Sequence, residues 1–295
     1  DWTLSRGLGD VYKRQIQLFN LRKIQMEYLI YLCLGAVAGL ASGLFGIGGG
    51  NIIVPILVIL LSVRGIPADM STHIAIATSL ASIILTSLSS IYTHHQRQAL
   101  DWNLLKIFIP SVVVGSLIGT VFFISADGRV LQILLGVFLV ATGLKMLLEK
   151  MRKTLEVNIK PYVLTLYGAG IGSLSAVFGV GGGMFTTPLL TNFGVSIHRA
   201  IGVSAVSGFF IALCASIIYG SVNIPKPDLL TNNLGYIYLP AWIGLVVASA
   251  PFARLGALLA HQTDATYLKN IFGLFLLVVG ARFILMNLQI LDFTK

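Results

Sequence analysis

The chemistry this sequence offers resides in two stretches of glycine. Gly46-Ile47-Gly48-Gly49-Gly50-Asn51 and Gly179-Val180-Gly181-Gly182-Gly183-Met184 lie 133 positions apart. Consecutive glycines can turn several backbone N–H groups into one concavity, and a helix starting just behind them adds its positive end. Two such elements meeting inside a membrane would hold a small oxyanion without burying a fixed charge. Close packing alone asks for a small residue every fourth position, which is the pattern of Gly35, Gly39 and Gly43 and of Gly168 and Gly172. Three glycines in a row exceed that need. The candidate substrate contacts are therefore Gly48, Gly49, Gly50 and Asn51 with Gly181, Gly182 and Gly183. A dinucleotide loop would need a preceding soluble strand and a following soluble helix, and neither motif has them.

Hydroxyls are the next candidates. Ser79 and Ser82 recur as Ser204 and Ser207, one helical turn apart and so on one face. Thr86, Ser87, Ser89 and Ser90 continue the first set. Such hydroxyls can solvate an anion or a wet path, and they can equally bond back to helix carbonyls or join helices. His73 and His198 start these two segments at equivalent places, where a histidine can gate, bind an anion when protonated, relay a proton, or simply anchor an interface. His94 and His95 have no counterpart and no carboxylate or thiol set beside them, so no metal site is expected, and no cofactor. Arg254 lies in an apolar stretch but within snorkelling distance of its end.

Hydrophobic residues form 56% of the chain and charged residues 11%, against roughly 25% charged in soluble proteins. The composition is that of an integral membrane protein with the lipid bilayer as partner. A net charge of +9 is spread over leader, loops and linker, which argues against nucleic acid as a partner. Acidic residues are confined to segment ends and loops, Asp127 and Asp264 among them, so no embedded carboxylate relay of the kind common in proton-driven carriers is present. Cys33 and Cys214 do not correspond to each other and read as packing residues rather than a disulfide or metal pair.

The elements that must position the glycines come in two copies. GAVAGLASGLFGIGGGNIIVP (35–55) recurs as GAGIGSLSAVFGVGGGMFTTP (168–188), HIAIATSLAS (73–82) as HRAIGVSAVS (198–207), and Gly119, Asp127, Leu131, Gly136 and Gly143 as Gly256, Asp264, Leu268, Gly273 and Gly280. Paired repeats with a glycine-broken hydrophobic segment in matching places are a signature of secondary transporters. The predicted segments are 26–45, 46–63, 73–93, 104–124 and 129–149 in repeat 1 (26–149), and 161–178, 179–193, 198–220, 235–261 and 266–290 in repeat 2 (161–290). A leader (1–25), a basic linker (150–160) and a tail (291–295) complete the chain. Residues 1–15 have no counterpart in the repeat and are expected to be foreign to the fold. Lys and Arg counts put leader, loop 94–106 and linker in the cytoplasm. That favours an all-α fold of about four transmembrane helices per repeat, the 46–63 and 179–193 pieces re-entrant and the halves parallel. Full crossing by those pieces would instead invert the halves.

The paired GLFGIGGG and AVFGVGGG motifs, each with a proline five residues on, and the HIAIATSLAS and HRAIGVSAVS segments resemble the sulfite exporter TauE/SafE family of membrane permeases over about residues 28–290. The resemblance implies an inner-membrane, multi-pass permease, both termini cytoplasmic, that moves small sulfur-containing anions such as sulfite or organosulfonates, often outward. It maps the family's motif onto Gly46, Gly48, Gly49, Gly50, Pro55 and Ser79 and onto Gly179, Gly181, Gly182, Gly183, Pro188 and Ser204. Met184 stands where the first copy has Asn51, so the halves are expected to contribute unequally. The contrasting reading is a non-transporting membrane anchor or enzyme subunit. An enzyme is not expected, for want of a paired nucleophile and base.

Overall fold

Long apolar runs without embedded charge fold as helices because lipid offers their backbone no other hydrogen-bond partner. A computed structural model describes residues 25–40, 42, 49–148, 160–223, 232–260 and 265–292. The leader through residue 24, Gly46, Gly48, nearly all of the linker and the last three residues lie outside that set. Ten helices are described: α1 Gln25–Leu40, α2 Gly50–Val63, α3 Ala68–Gln96, α4 Trp102–Phe123, α5 Gly128–Leu148, α6 Pro161–Phe178, α7 Gly183–Asn192, α8 Ile197–Ser221, α9 Leu239–Ala260 and α10 Ala265–Asp292. Five of them (α3, α4, α5, α6 and α8) are long and apolar enough to cross a membrane. Val114, Ile118, Val121 and Phe122 on α4 face outward, as a lipid-facing surface requires.

Local chemistry sets the helix ends. Asp101 caps α4, its Oδ1 accepting from the Asn103 and Leu104 N–H groups at 3.1 and 3.2 Å. Asp101→Ala is expected to cost about 1 kcal/mol, the usual worth of such a cap, read as a lowered thermal midpoint in detergent. Gly179 ends α6 in the left-handed region (φ 66°), and a Cβ there would also lie 2.9 Å from Ile76 Cα. Pro55 in α2 and Pro188 in α7 carry no N–H for the carbonyl four residues back. The deprived carbonyls belong to Asn51 and Met184.

Helix directions overturn the favoured topology. Glu27, near the start of α1, pairs with Arg64 just past α2 at 3.2 Å, and Ala38 near the end of α1 lies against Gly49 at the start of α2. The pair α1–α2 thus leaves and returns on one face, with the first glycine break at its tip. Tyr167 and Phe193, with ring centroids 5.9 Å apart, close the same hairpin in α6–α7. The expectation was a full crossing by 26–45 followed by a re-entrant 46–63; instead the two helices cancel each other. At 14 and 10 residues, α2 and α7 are only about 21 and 15 Å long, enough to climb from a tip to a face. Lysine counting cannot see that parity.

The consequence runs through both halves. Gly136 of α5 packs on Gly280 of α10 and Gly143 on Gly273, so the two helices are antiparallel. Helices α3 and α8 are antiparallel too, with His73 beside Tyr219 and Ser87 beside Gly208. Matching segments therefore run in opposite senses, contrary to the parallel expectation. The start of α1 and the end of α10 share one face, and Leu148 and Lys160, which flank the linker, lie on the other.

Glycine lets the helices touch. Gly35 and Gly39 of α1 rest on the backbone of Leu245 and Ser249 in α9, and Gly168 and Gly172 of α6 rest on Phe108 and Val112 in α4. Lipid supplies little hydrophobic drive between helices, so this close van der Waals contact holds them. A two-stranded hairpin, Asn233–Leu234 with Ile237–Tyr238, precedes α9 where a single apolar segment was expected. It reaches α3, the Tyr238 N–H donating to Thr78 Oγ1 at 3.0 Å.

Candidate functional site

The glycine breaks meet. At Gly50 a Cβ would lie 2.5 Å from the Gly179 carbonyl oxygen and 2.9 Å from Val180 Cα, so backbone touches backbone. Asn51 and Met184, the matching residues of the two copies, contact each other directly, Asn51 Nδ2 lying 2.7 Å from Met184 Sδ. Asn51 is buried and its Oδ1 has no hydrogen-bond partner among the described residues. Phe138 of α5 stacks on Phe178 at 4.5 Å and bears on Phe185, bracing the second break from behind. Gly181 and Gly182 are buried at the start of α7, against Ile83 and against Ser207 and Ile211. Gly183 begins α7. Gly48 is outside the described residues.

The serines Ser79, Ser82 and Ser207 bond to backbone carbonyls, one of the parts the sequence left open to them. Ser79, fully buried, donates to the Gly179 carbonyl at 2.8 Å and so fixes the second break from the opposite half. Ser82 and Ser207 donate to the carbonyls of Thr78 and Val203, four residues back on their own helices, at 2.8 and 2.7 Å. Ser204 is buried in α8. The histidines are not brought together. His73 is buried at one end of the bundle among Tyr219 and Tyr236, with Nδ1 2.6 Å from the Asp69 carbonyl oxygen. His198 is exposed at the other end. Arg254 is exposed, and Cys33 is exposed rather than packed inside.

One void adjoins the first break, between α1, the start of α2 and the middles of α3 and α9. Ser42, Ser82, Thr86 and Ser249 supply its polar lining. It measures about 10 Å³, room for about one water. Thr86 stood in the hydroxyl-rich run of the sequence and Ser42 in its repeated motif, whereas Ser249 carried no local signal: it is at the void only because α9 crosses α1 at Gly39.

Against known families, the model for "Sulfite exporter TauE/SafE" matches residues 31–283. The chain belongs to the sulfite exporter TauE/SafE family. Among its TauE/SafE-like relatives is a probable membrane transporter protein of Haemophilus influenzae, 34% identical and aligned over 86% of this chain and 98% of its own length. Probable membrane transporter proteins of Methanocaldococcus jannaschii and Bacillus subtilis are 27% and 25% identical, each over 88% of this chain and 97% and 98% of their own. No solved structure matches. Family, relatives and apolar helices together make this a multi-pass membrane transporter.

Proposed function

We propose that the protein is a permease for small anions of the sulfite or organosulfonate type, working in the direction of export, with the paired glycine breaks as the binding element. The observation that carries this reading is the meeting of the breaks at Gly50, Gly179, Asn51 and Met184. Helix starts at Gly50 and Gly183 then direct N–H groups and two positive helix ends at one locus, which favours negative charge. Asn51 strengthens it. Its amide nitrogen rests on a thioether, a weak acceptor, and can be released to an oxyanion at small cost. Ser79 acts by positioning the Gly179 turn, and Ser82, Ser204 and Ser207 line the approach. His73 gates at one end and His198 at the other. In this reading the matched segments, running in opposite senses, form an inverted pair of repeats around a site at their interface.

Basic residues orient the molecule. Among the described residues Arg97, Lys106, Lys145, Lys160 and Arg199 stand at helix ends on the linker face against Arg64, Arg129 and Arg282 towards the other, so in this reading the linker face is cytoplasmic in the cell inner membrane and the start of α1 faces out. An inside-negative potential contributes about 2.3 kcal/mol per charge per 100 mV to anion exit.

The test is efflux of sulfite, sulfoacetate and other sulfur anions from proteoliposomes, with and without a pH gradient. Gly181→Ala gives it resolution. The added Cβ would meet Ile83 at 3.5 Å, an ordinary contact, so the fold should be unaffected while a ligand approaching that backbone is obstructed. Reduced efflux at an unchanged thermal midpoint is expected. Wild-type efflux in both Gly181→Ala and a folded Gly49→Leu, Gly182→Leu double variant would sink the site, and no movement of any sulfur anion would sink the substrate class.

A further inference from the structure

Two buried hydroxyls of the second half keep their protons. Ser175 Oγ, in the last turn of α6, and Thr186 Oγ1, at the fourth residue of α7, belong to fully buried residues. Neither has a hydrogen-bond partner among the described residues. Other buried hydroxyls, such as those of Ser111, Ser116 and Ser207, donate to a carbonyl three or four residues back on their own helices. A buried polar group left unpaired costs free energy, so two unspent donors in one place point to a ligand.

The α6–α7 hairpin brings them to one level. Tyr167 and Phe193 close its open end. Ser175 lies eight residues past the one and Thr186 seven before the other, so both stand about 10–12 Å nearer the tip at 1.5 Å per residue. Gly182 and Thr186, four residues apart, share a face of α7, and Gly182 sets that face against Ser207, Gly208 and Ile211 of α8. A helical side chain leans toward the start of its helix. Thr186 therefore leans over the first turn of α7, whose N–H groups find no carbonyl within the helix. In the first half the matching residues, Ser42 and Ile53, border one shared space, which is the relation the repeat gives Ser175 and Thr186.

We propose that Ser175 and Thr186 hold the SO3 group common to sulfite and sulfonates, their hydroxyls donating to its oxygens while the start of α7 adds N–H groups and positive charge. A hydroxyl can accept as well as donate, and the positive helix end selects an anion. The assignment rests on the anion reading and sharpens it: the charged head belongs to the second break. The first half cannot supply the same pair, because Ile53 stands where α7 has Thr186. Both hydroxyls are wholly buried, so the anion reaches them as α7 moves off α8, along a seam where Gly182 meets Gly208.

The experiment titrates the whole chain in detergent with sulfite, following the thermal midpoint, and measures efflux of sulfite and sulfoacetate from proteoliposomes. A ligand that binds the folded state raises the midpoint saturably. Ser175→Ala and Thr186→Val should each need about tenfold more sulfite for the same rise, roughly 1.4 kcal/mol, and should slow efflux of both anions alike. Without sulfite their midpoints should equal or exceed that of the wild type, because each removes an unpaired buried polar group. A hydroxyl that served only the fold would lower the ligand-free midpoint when removed. Thr191→Val is the control: its hydroxyl, on the same helix, already bonds to the Thr187 carbonyl at 2.9 Å, so the sulfite response should stay that of the wild type. A full sulfite response in both variants, or a lowered ligand-free midpoint in both, would overturn the assignment. Wild-type efflux that neither variant slows would overturn it and leave the anion reading standing. A midpoint rise that the variants blunt, in protein that moves no sulfur anion, would overturn the transport reading and leave the site. No response of the wild type to sulfite in either measurement would overturn both.

Discussion

Gly50→Ala is expected to lower sulfite efflux by at least about tenfold, equivalent to roughly 1.4 kcal/mol, in protein that still inserts. The new methyl would sit 2.5 Å from the Gly179 carbonyl oxygen and 2.9 Å from Val180 Cα. These are backbone atoms, and neither can turn aside as a side chain end would. Gly179 is held three ways. Ser79 bonds its carbonyl at 2.8 Å, its φ of 66° is the left-handed conformation, and Val54 and Ile76 crowd its Cα. Relief therefore requires the two breaks to part. Losing the Ser79 bond would leave a buried carbonyl unpaired, about 1–3 kcal/mol. The thermal midpoint should fall moderately, and transport more, because the proposed site is defined by both breaks and neither alone. Comparison with Gly181→Ala separates the effects: that variant obstructs the ligand without moving the breaks. Wild-type efflux in Gly50→Ala would mean that the contact between the halves has no part in transport.

Much of this was legible in the sequence, for physical reasons that also mark its limits. The ten helices follow the predicted segments to within a few residues at most ends, because a hydrophobic run bounded by glycine, proline or charge is a local signal. That the two breaks would meet was legible too, since three consecutive glycines exceed what close packing asks for. The sense of the halves was not. It depends on whether α1 and α2 cancel, a question of parity that the Glu27–Arg64 pair answers in space and that loop charges obscured. Ser79 was expected along the path, yet its proton goes to Gly179 on the other half, a partner 100 residues away. The hairpin at 233–238 was missed because Ile237 and Tyr238 are as apolar as the α9 residues that follow. Asn51 and Met184 were seen as a mismatch between copies. In space that mismatch is a contact, and an amide facing a thioether is a looser pairing than two amides would make.

Gly115→Val is expected to have the largest effect on stability, because it strikes the seam where α4 and α6 cross. A Cβ on Gly115 would overlap the Ala169 carbonyl, one on Gly119 would lie 2.7 Å from Ser173 Cα, and one on Gly172 would overlap the Val112 carbonyl and lie 2.9 Å from the Ser116 nitrogen. The helices meet there main chain to main chain, with no side chain between them to repack. Ordinary overpacking costs about 1–3 kcal/mol. Here the whole crossing must open, so the cost should exceed that range and take much of the roughly 5–15 kcal/mol a folded protein has in hand. Gly170→Val, on the partner helix α6, is the control. A Cβ at Gly170 meets nothing within 4 Å, so that variant should fold as the wild type does. The readout is the yield of monodisperse protein after detergent extraction, with the thermal midpoint of whatever survives. Because α1 crosses α9 as α6 crosses α4, Gly39→Val should fail in the same way: its Cβ would overlap the Ser249 carbonyl and lie 2.8 Å from Ser249 Cα. If Gly115→Val and Gly39→Val both gave as much folded protein as Gly170→Val, the two crossings could not be the contacts that hold α1 and α6, and hence the glycine breaks at their ends, in place.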